Sequence, residues 1–260
     1  MSIPLHTLLD VLEQCAPLAL AEPWDNVGLL VGDPDQRVAR ALLTIDYTAE
    51  VEEEALQSGC SLVIAYHPPI FEGLKRIPAQ HLIHRAIRAG LALYSPHTAW
   101  DIAPGGTNDL LGDVLGLKER RPLKPSPRLG NPDLGLGRLG VLDPCPRPVL
   151  LERIRKGLGL EALLVAGPTE GLVNVAAAGA GACGDLIHDA LKAGAQLYLT
   201  GEVRHHDALK AAQAGMTVVC TLHSNSERAS LARLKGRLEA ALPGLELRLS
   251  IADRDPFRVY

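Results

Sequence analysis

The sequence predicts an α/β protein made of two related halves. Three observations carry that expectation. Short apolar runs alternate along the chain with segments whose apolar residues recur at helical spacing. The runs end at glycine or polar residues, as strands do. One unit also recurs: "ALQSGCSLVIAYH" (55–67) is echoed by "ALKAGAQLYLTGE" (190–202), and "RAGLALYSPHTAWD" (88–101) by "QAGMTVVCTLHSNSE" (213–227).

Each element follows from its local pattern. Apolar residues at 5, 8, 9 and 12 predict a helix opened by Pro4. "GLLVG" (28–32) and "ALLTID" (41–46) read as strands. "TAEVEEEALQSG" (48–59) reads as a helix, with acids in its first turns and a glycine stop. "SLVIAY" (61–66) is a strand, 79–90 a helix, "LALYS" (91–95) a strand and 107–116 a helix. The stretch 119–137 is rich in proline and glycine and has no periodicity, so it is expected to be a linker. Beyond it come a strand (138–142), a helix (149–159) and two strands, "ALLVAG" and "LVNVAAAG". A helix (185–194), a strand (195–201), a helix (206–215), a strand (216–222), a long helix from Ser226 and a last strand (245–251) complete the chain. The expected organisation is a first half at 1–118, the linker, and a second half at 138–260.

In the first echo the offset is 135 (Leu62 to Leu197), which places Glu202 opposite His67. In the second it is 126 (His97 to His223), and the same step takes Asp101 to Glu227. Each half therefore carries a His-x-x-x-acid unit just after a strand. A duplicated motif with a shared site is the expectation.

Composition narrows the chemistry. The net charge is −4 and aromatic residues make up 3% of the chain, which disfavours a nucleic-acid backbone binder or a base-stacking platform for nucleic acid. Five cysteines, odd in number and without C-x-x-C, point to reduced thiols in a cytoplasmic protein. The N-terminus lacks the basic region of a signal peptide, and no apolar run is long enough for a membrane span.

Ligands of open α/β sheets sit beyond the carboxyl ends of the strands. That rule gathers His67, His97, Asp101, Glu202, His223 and Glu227. Imidazole and carboxylate together suit Zn, Mn, Fe, Co or Ni better than Mg or Ca. A bridging carboxylate could hold two such ions about 3.5–4 Å apart. His205 and His206 open a helix beside Glu202 and could line the pocket. Two structural alternatives stand beside this reading. A histidine after a buried strand can be a simple loop anchor. Ser224 or Asn225 can cap the long helix, making Glu227 a capping-box acid. A third alternative is dinucleotide binding, because Gly179, Gly181 and Gly184 form G-x-G-x-x-G between a strand and a helix. Asp185 at the start of that helix would repel a pyrophosphate. The same glycines could instead form a nest for another anion. No G-x-S-x-G elbow is present.

Six segments, in order, match one family: "EPWDNVGLLVGD" (22–33), "AYHPPIFEGLKRI" (65–77), "YSPHTAWDIAPGGTNDLL" (94–111), "GAGACGDLI" (179–187), "LYLTGEVRHHDAL" (197–209) and "LHSNSE" (222–227). The chain resembles the NIF-three-like dinuclear metal proteins, also called GTP cyclohydrolase 1 type 2 homologues. The resemblance implies two intertwined, duplicated α/β halves with mixed sheets and a cleft between them holding two divalent metals. It implies a toroidal homohexamer and a GTP cyclohydrolase-type ring opening, with metal handling or protein interaction as roles of other members. Carried over by motif, the metal ligands are His67, Asp101, His223 and Glu227. Tyr66 stands where many bacterial members carry a second histidine, and Tyr-His-Pro-Pro is similar to the eukaryotic-type form. Two functions are then expected to compete: a metal-dependent hydrolase in which Glu202 or His97 moves protons and Tyr66, His205 and His206 border the substrate, and a non-catalytic metal-binding chaperone or scaffold.

Overall fold

The structure, a computed structural model, describes residues 2–258 and is mixed α/β throughout. The chain divides into two units. One takes the chain up to Ala103 together with Leu231–Arg254; the other takes Pro104–Ser230 and the residues from Asp255.

The first unit holds a five-stranded sheet in the order Glu246–Leu249, Arg40–Thr44, Leu62–Ala65, Ala92–Ser95, Gly28–Val31. The first four strands are parallel and Gly28–Val31 is antiparallel. Parallel strands need crossovers, and the helices Ala49–Gln57 and Leu82–Ala89 supply them. Thr48 starts the first helix by accepting the Val51 N–H at 3.3 Å. Gly90 ends the second in the left-handed conformation. Val51, Ala55, Ile83 and Ala86 from these helices pack with Leu42, Val63 and Leu93 of the sheet in one buried core. Full burial of each large aliphatic side chain contributes about 1.5–3 kcal/mol.

The second unit holds a six-stranded sheet in the order Leu164–Ala166, Thr217–Cys220, Leu197–Thr200, Leu172–Gly179, Arg138–Pro146, Lys118–Arg121. Its middle three strands are parallel and the flanking ones antiparallel. Helices Thr107–Leu115 and Arg147–Gly157 bury Leu110, Leu111, Leu115, Leu150 and Ile154 against it.

The duplication is visible in the connectivity. Each sheet has three adjacent parallel strands, and an antiparallel strand lies beside the third: Gly28–Val31 in one, Leu164–Ala166 in the other. The echo extends to single hydrogen bonds past the strand ends. The His67 N–H donates to Ile45 O at 3.0 Å, and the Glu202 N–H donates to Gly181 O at 3.1 Å. His67 and Glu202 occupy the same backbone position in the two repeats.

Three expectations need correction. The boundary at 138–260 fails because Glu246–Leu249 pairs in parallel with Arg40–Thr44, so the chain end joins the first sheet. The stretch 119–137 is not a bare linker. Lys118–Arg121 pairs with Arg138–Pro146, and the two-residue strands Lys124–Pro125 and Gly135–Leu136 pair with each other. The last helix begins at His223 rather than at Ser226, and a short helix, His97–Ile102, follows the equivalent strand of the first repeat. Among the described residues, no helix is long and apolar enough to cross a membrane.

Candidate metal centre

Both His-x-x-x-acid units lie in helices. His97 and Asp101 belong to His97–Ile102, and His223 and Glu227 to His223–Ala241. A spacing of four puts each pair on one helical face. The alternative capping role for Ser224 and Asn225 is not the observed one. The Ser224 hydroxyl donates to Asp255 at 2.7 Å, and the Asn225 amide donates to Thr221 O at 3.0 Å.

His67 is placed by the sheet. The parallel ladder continues past Ala65, with Tyr66 N–H donating to Thr44 O and His67 N–H to Ile45 O. This sets the imidazole beside Asp46, whose Oδ1 lies 2.9 Å from His67 Nδ1. Pro68 disfavours helical backbone at His67. Tyr66, wholly buried, donates its hydroxyl to Asp101 Oδ1.

The other two histidines have carboxylate partners of the same kind. His97 Nδ1 lies 2.8 Å from Asp25 Oδ1, and Asp25 also accepts from the Thr98 N–H at 3.1 Å and from its hydroxyl. Burial pushes the Asp25 carboxyl up, but the hydrogen bonds from His97 and Thr98 outweigh it and hold the group below the usual carboxylate range. His223 Nδ1 lies 3.1 Å from Glu202 Oε1, while its Nε2 lies 3.4 Å from Glu227 Oε1. A carboxylate on Nδ1 fixes the tautomer and turns Nε2 toward a cation. Glu202 thus faces His223 as an orienting partner.

Within the second unit, His223 Nε2 and Glu227 Oε1 stand side by side as two donors that could hold a metal ion. An imidazole and a carboxylate together fit a borderline divalent metal. Gly181 leaves room beside it. A Cβ there would run into Glu227 Oε1 and come within 3.1 Å of His223 Nε2. Asp101 lies in the first unit, where its carboxylate accepts from Tyr66.

The glycine turn serves the site by packing. The Ala180 N–H donates to Asn108 Oδ1 at 3.0 Å, and the Gly181 N–H to Ser226 Oγ at 2.8 Å. These donors are therefore not presented to a pyrophosphate or another anion. Gly179 lies against Tyr198, and Gly184 against the backbone of Glu202. A 3₁₀ turn, Cys183–Leu186, and only six α-helical residues follow. The dinucleotide expectation falls on this observation.

His205 and His206 are exposed, with their rings 5.2 Å apart. A cavity of about 230 Å³ next to them is lined by Ala182, Gly184, Asp185, Glu202, Val203 and Arg204, and neither histidine lines it. The larger depression, about 670 Å³ between Glu50–Ser58 and Arg248–Arg254, holds none of the site residues.

Sequence reasoning missed Asp25 and Asp46. Asp46 closes the strand "ALLTID", so the strand-end rule that gathered the other residues reaches it as well. Asp25 lies inside "EPWDNVGLLVGD". Nothing in the sequence marked Asp253, which accepts the Ile45 N–H at 2.9 Å, or Asp255 beside Ser224.

Comparison with known proteins places the chain in a family. The model of the family described as Duf34/NIF3 (NGG1p interacting factor 3) matches residues 3–256. "NIF3-like protein 1" of Bos taurus is 33% identical, covering 98% of this chain and 92% of the relative. "GTP cyclohydrolase 1 type 2 homolog" of Clostridium perfringens is 32% identical, covering 97% of this chain and 98% of the relative. The crystal structure of a Bacillus cereus protein related to NIF3 has the same fold, with a TM-score of 0.85 at 22% identity over 98% of this chain and 99% of that one. The chain belongs to the Duf34/NIF3 family.

Proposed function

We propose that the protein is a metal-dependent hydrolase acting on a nucleotide or a similar small anionic substrate. The reading rests on one observation: His223 and Glu227 present an imidazole and a carboxylate together, and the imidazoles of both His223 and His67 are aimed by carboxylates. The name of the Clostridium perfringens relative favours GTP as the substrate, with opening of its base ring. In this reading the ligands are His67, Asp101, His223 and Glu227, and about two divalent ions bind per chain. The bound ions supply Lewis acidity and make water more acidic.

The chain's own residues do the rest. Asp46 and Glu202 hold the Nδ1 protons of His67 and His223 and present their Nε2 atoms. Tyr66 holds the Asp101 carboxylate by its hydroxyl. His97, fixed at Nδ1 by Asp25, accepts and returns a proton at Nε2. Arg204, on the cavity that Glu202 lines, receives an anionic group of the substrate. A homohexamer is part of this proposal. The second reading is a non-catalytic metal-binding scaffold, favoured by the family's description as an interacting factor.

The test is metal analysis of the purified protein, with GTP turnover measured for wild type and Glu227→Ala. About two metals per chain and turnover lost in the variant are the expected results. Metal without turnover in the wild type removes the hydrolase and leaves the scaffold. Wild-type metal content in both His223→Ala and Glu227→Ala overturns the site itself.

A further inference from the structure

The chain has two tryptophans and two phenylalanines. Trp100 is wholly buried, whereas Trp24 is 59% and Phe71 51% exposed, with ring centroids 5.8 Å apart. Scattered exposed rings are ordinary. This pair is anchored. Trp24, Asp25 and Asn26 are consecutive, and each does a separate job. The Trp24 ring meets the His97 ring edge-on, with centroids 6.0 Å apart. Asp25 holds His97 Nδ1 at 2.8 Å. The Asn26 amide donates to Ile70 O at 2.6 Å, which fixes Phe71 beside Trp24. His97 in turn meets His67 edge-on at 5.4 Å. The exposed rings are the outer members of a row of rings that ends at a metal-ligand candidate. Trp24 and Phe71 are tilted by 49°, so they form a V. A flat ring stacked on one of them meets the other at the same tilt, so both can contact it, and stacking is an arrangement that aromatic quadrupoles favour.

We propose that Trp24 and Phe71 are the stacking subsite for the flat heterocyclic ring of the substrate, a nucleobase or a ring like it. The proposal rests on the nucleotide reading of the same centre and adds the residues that grip the base. Trp24 selects for an aromatic ring by stacking, and Asp25 couples its position to the His97 imidazole.

Because the other tryptophan is buried, acrylamide quenching of fluorescence reports on Trp24. The probes are GTP, guanosine and ribose 5-phosphate, added to the metal-loaded full chain, with dissociation constants from calorimetry. GTP and guanosine are expected to shield Trp24 saturably, and ribose 5-phosphate to leave it accessible. Trp24→Ala should weaken GTP binding at least about fivefold, the lower end for base–aromatic stacking. Trp24→Phe should retain most of the affinity, and Phe71→Ala should fall between. Metal content and oligomer mass should stay unchanged in all three. The proposal is overturned if wild type binds neither GTP nor guanosine, or if Trp24→Ala binds GTP within twofold of wild type. A fall in oligomer mass in Trp24→Ala also overturns it, because the patch is then an interface between copies. A protein that stacks guanosine but turns over no GTP loses the hydrolase and keeps the subsite. One that turns over GTP while Trp24 stays accessible keeps the hydrolase and loses the subsite.

Discussion

Replacing Gly181 with alanine tests the metal centre without touching a ligand. Gly181 has φ +60°, and its missing Cβ would collide with Glu227 Oε1 and press on His223 Nε2 from 3.1 Å. Gly194 is the control. Its φ is +75°, and nothing lies within 4 Å of an added Cβ. Alanine in the left-handed region costs about 1 kcal/mol at either position. Urea unfolding should therefore show both variants less stable by about that amount, with the slope unchanged. Only Gly181→Ala also displaces a carboxylate and an imidazole. Moving the supports of a metal site costs about ten- to a hundredfold in affinity, or about 1.4–2.8 kcal/mol. Competition with a fluorescent zinc chelator measures it directly. If Gly181→Ala binds zinc within twofold of Gly194→Ala, then His223 and Glu227 do not hold the metal as proposed.

Three further outcomes are expected. Asp46→Ala should lower metal affinity by about ten- to a hundredfold while circular dichroism stays unchanged, because it removes the acceptor that orients His67. Removing metal with a chelator should lower the melting temperature, since a ligand at a hundred times its Kd stabilises the native state by about 2.7 kcal/mol; an unchanged melting curve refutes occupancy. Glu54 supplies a pH dependence away from the site. Burial pushes its carboxyl up, but hydrogen bonds from Ile251, Ser250 and Ala252 outweigh that and hold it below the usual range. Its stabilisation is therefore present above the unfolded carboxyl value of about 4.3 and is lost as pH falls through the lower folded value. Glu54→Gln should be less stable than wild type by about 1 kcal/mol at neutral pH, the group being partly exposed to solvent, and should match it in acid.

The strands were legible because a wholly buried strand such as Leu62–Ala65 must be apolar at every position. The repeat was legible because the same ladder, crossover and turn recur with the same residue types, and His67 and Glu202 do occupy equivalent backbone positions. The helix His97–Ile102 was not legible. It is barely one and a half turns long, lacks a side-chain N-cap, and opens on His97 at φ +25°. The segment 119–137 misled because proline and glycine hide two-residue strands whose pairing is set by partners elsewhere. Glu202 was read as a proton carrier, since its distance to His223 Nδ1 is a fact of three dimensions.

By itself, the sequence determined the α/β class and the recurrence of a His-x-x-x-acid unit after a strand in each repeat, because burial and backbone periodicity leave a local mark. Only the tertiary structure decided that Asp25, Asp46 and Glu202 orient three imidazoles and that Gly181 clears space beside His223 and Glu227. It also decided that the final strand closes the first sheet. Those facts depend on atoms far apart in the chain, and no local pattern encodes a distance between them.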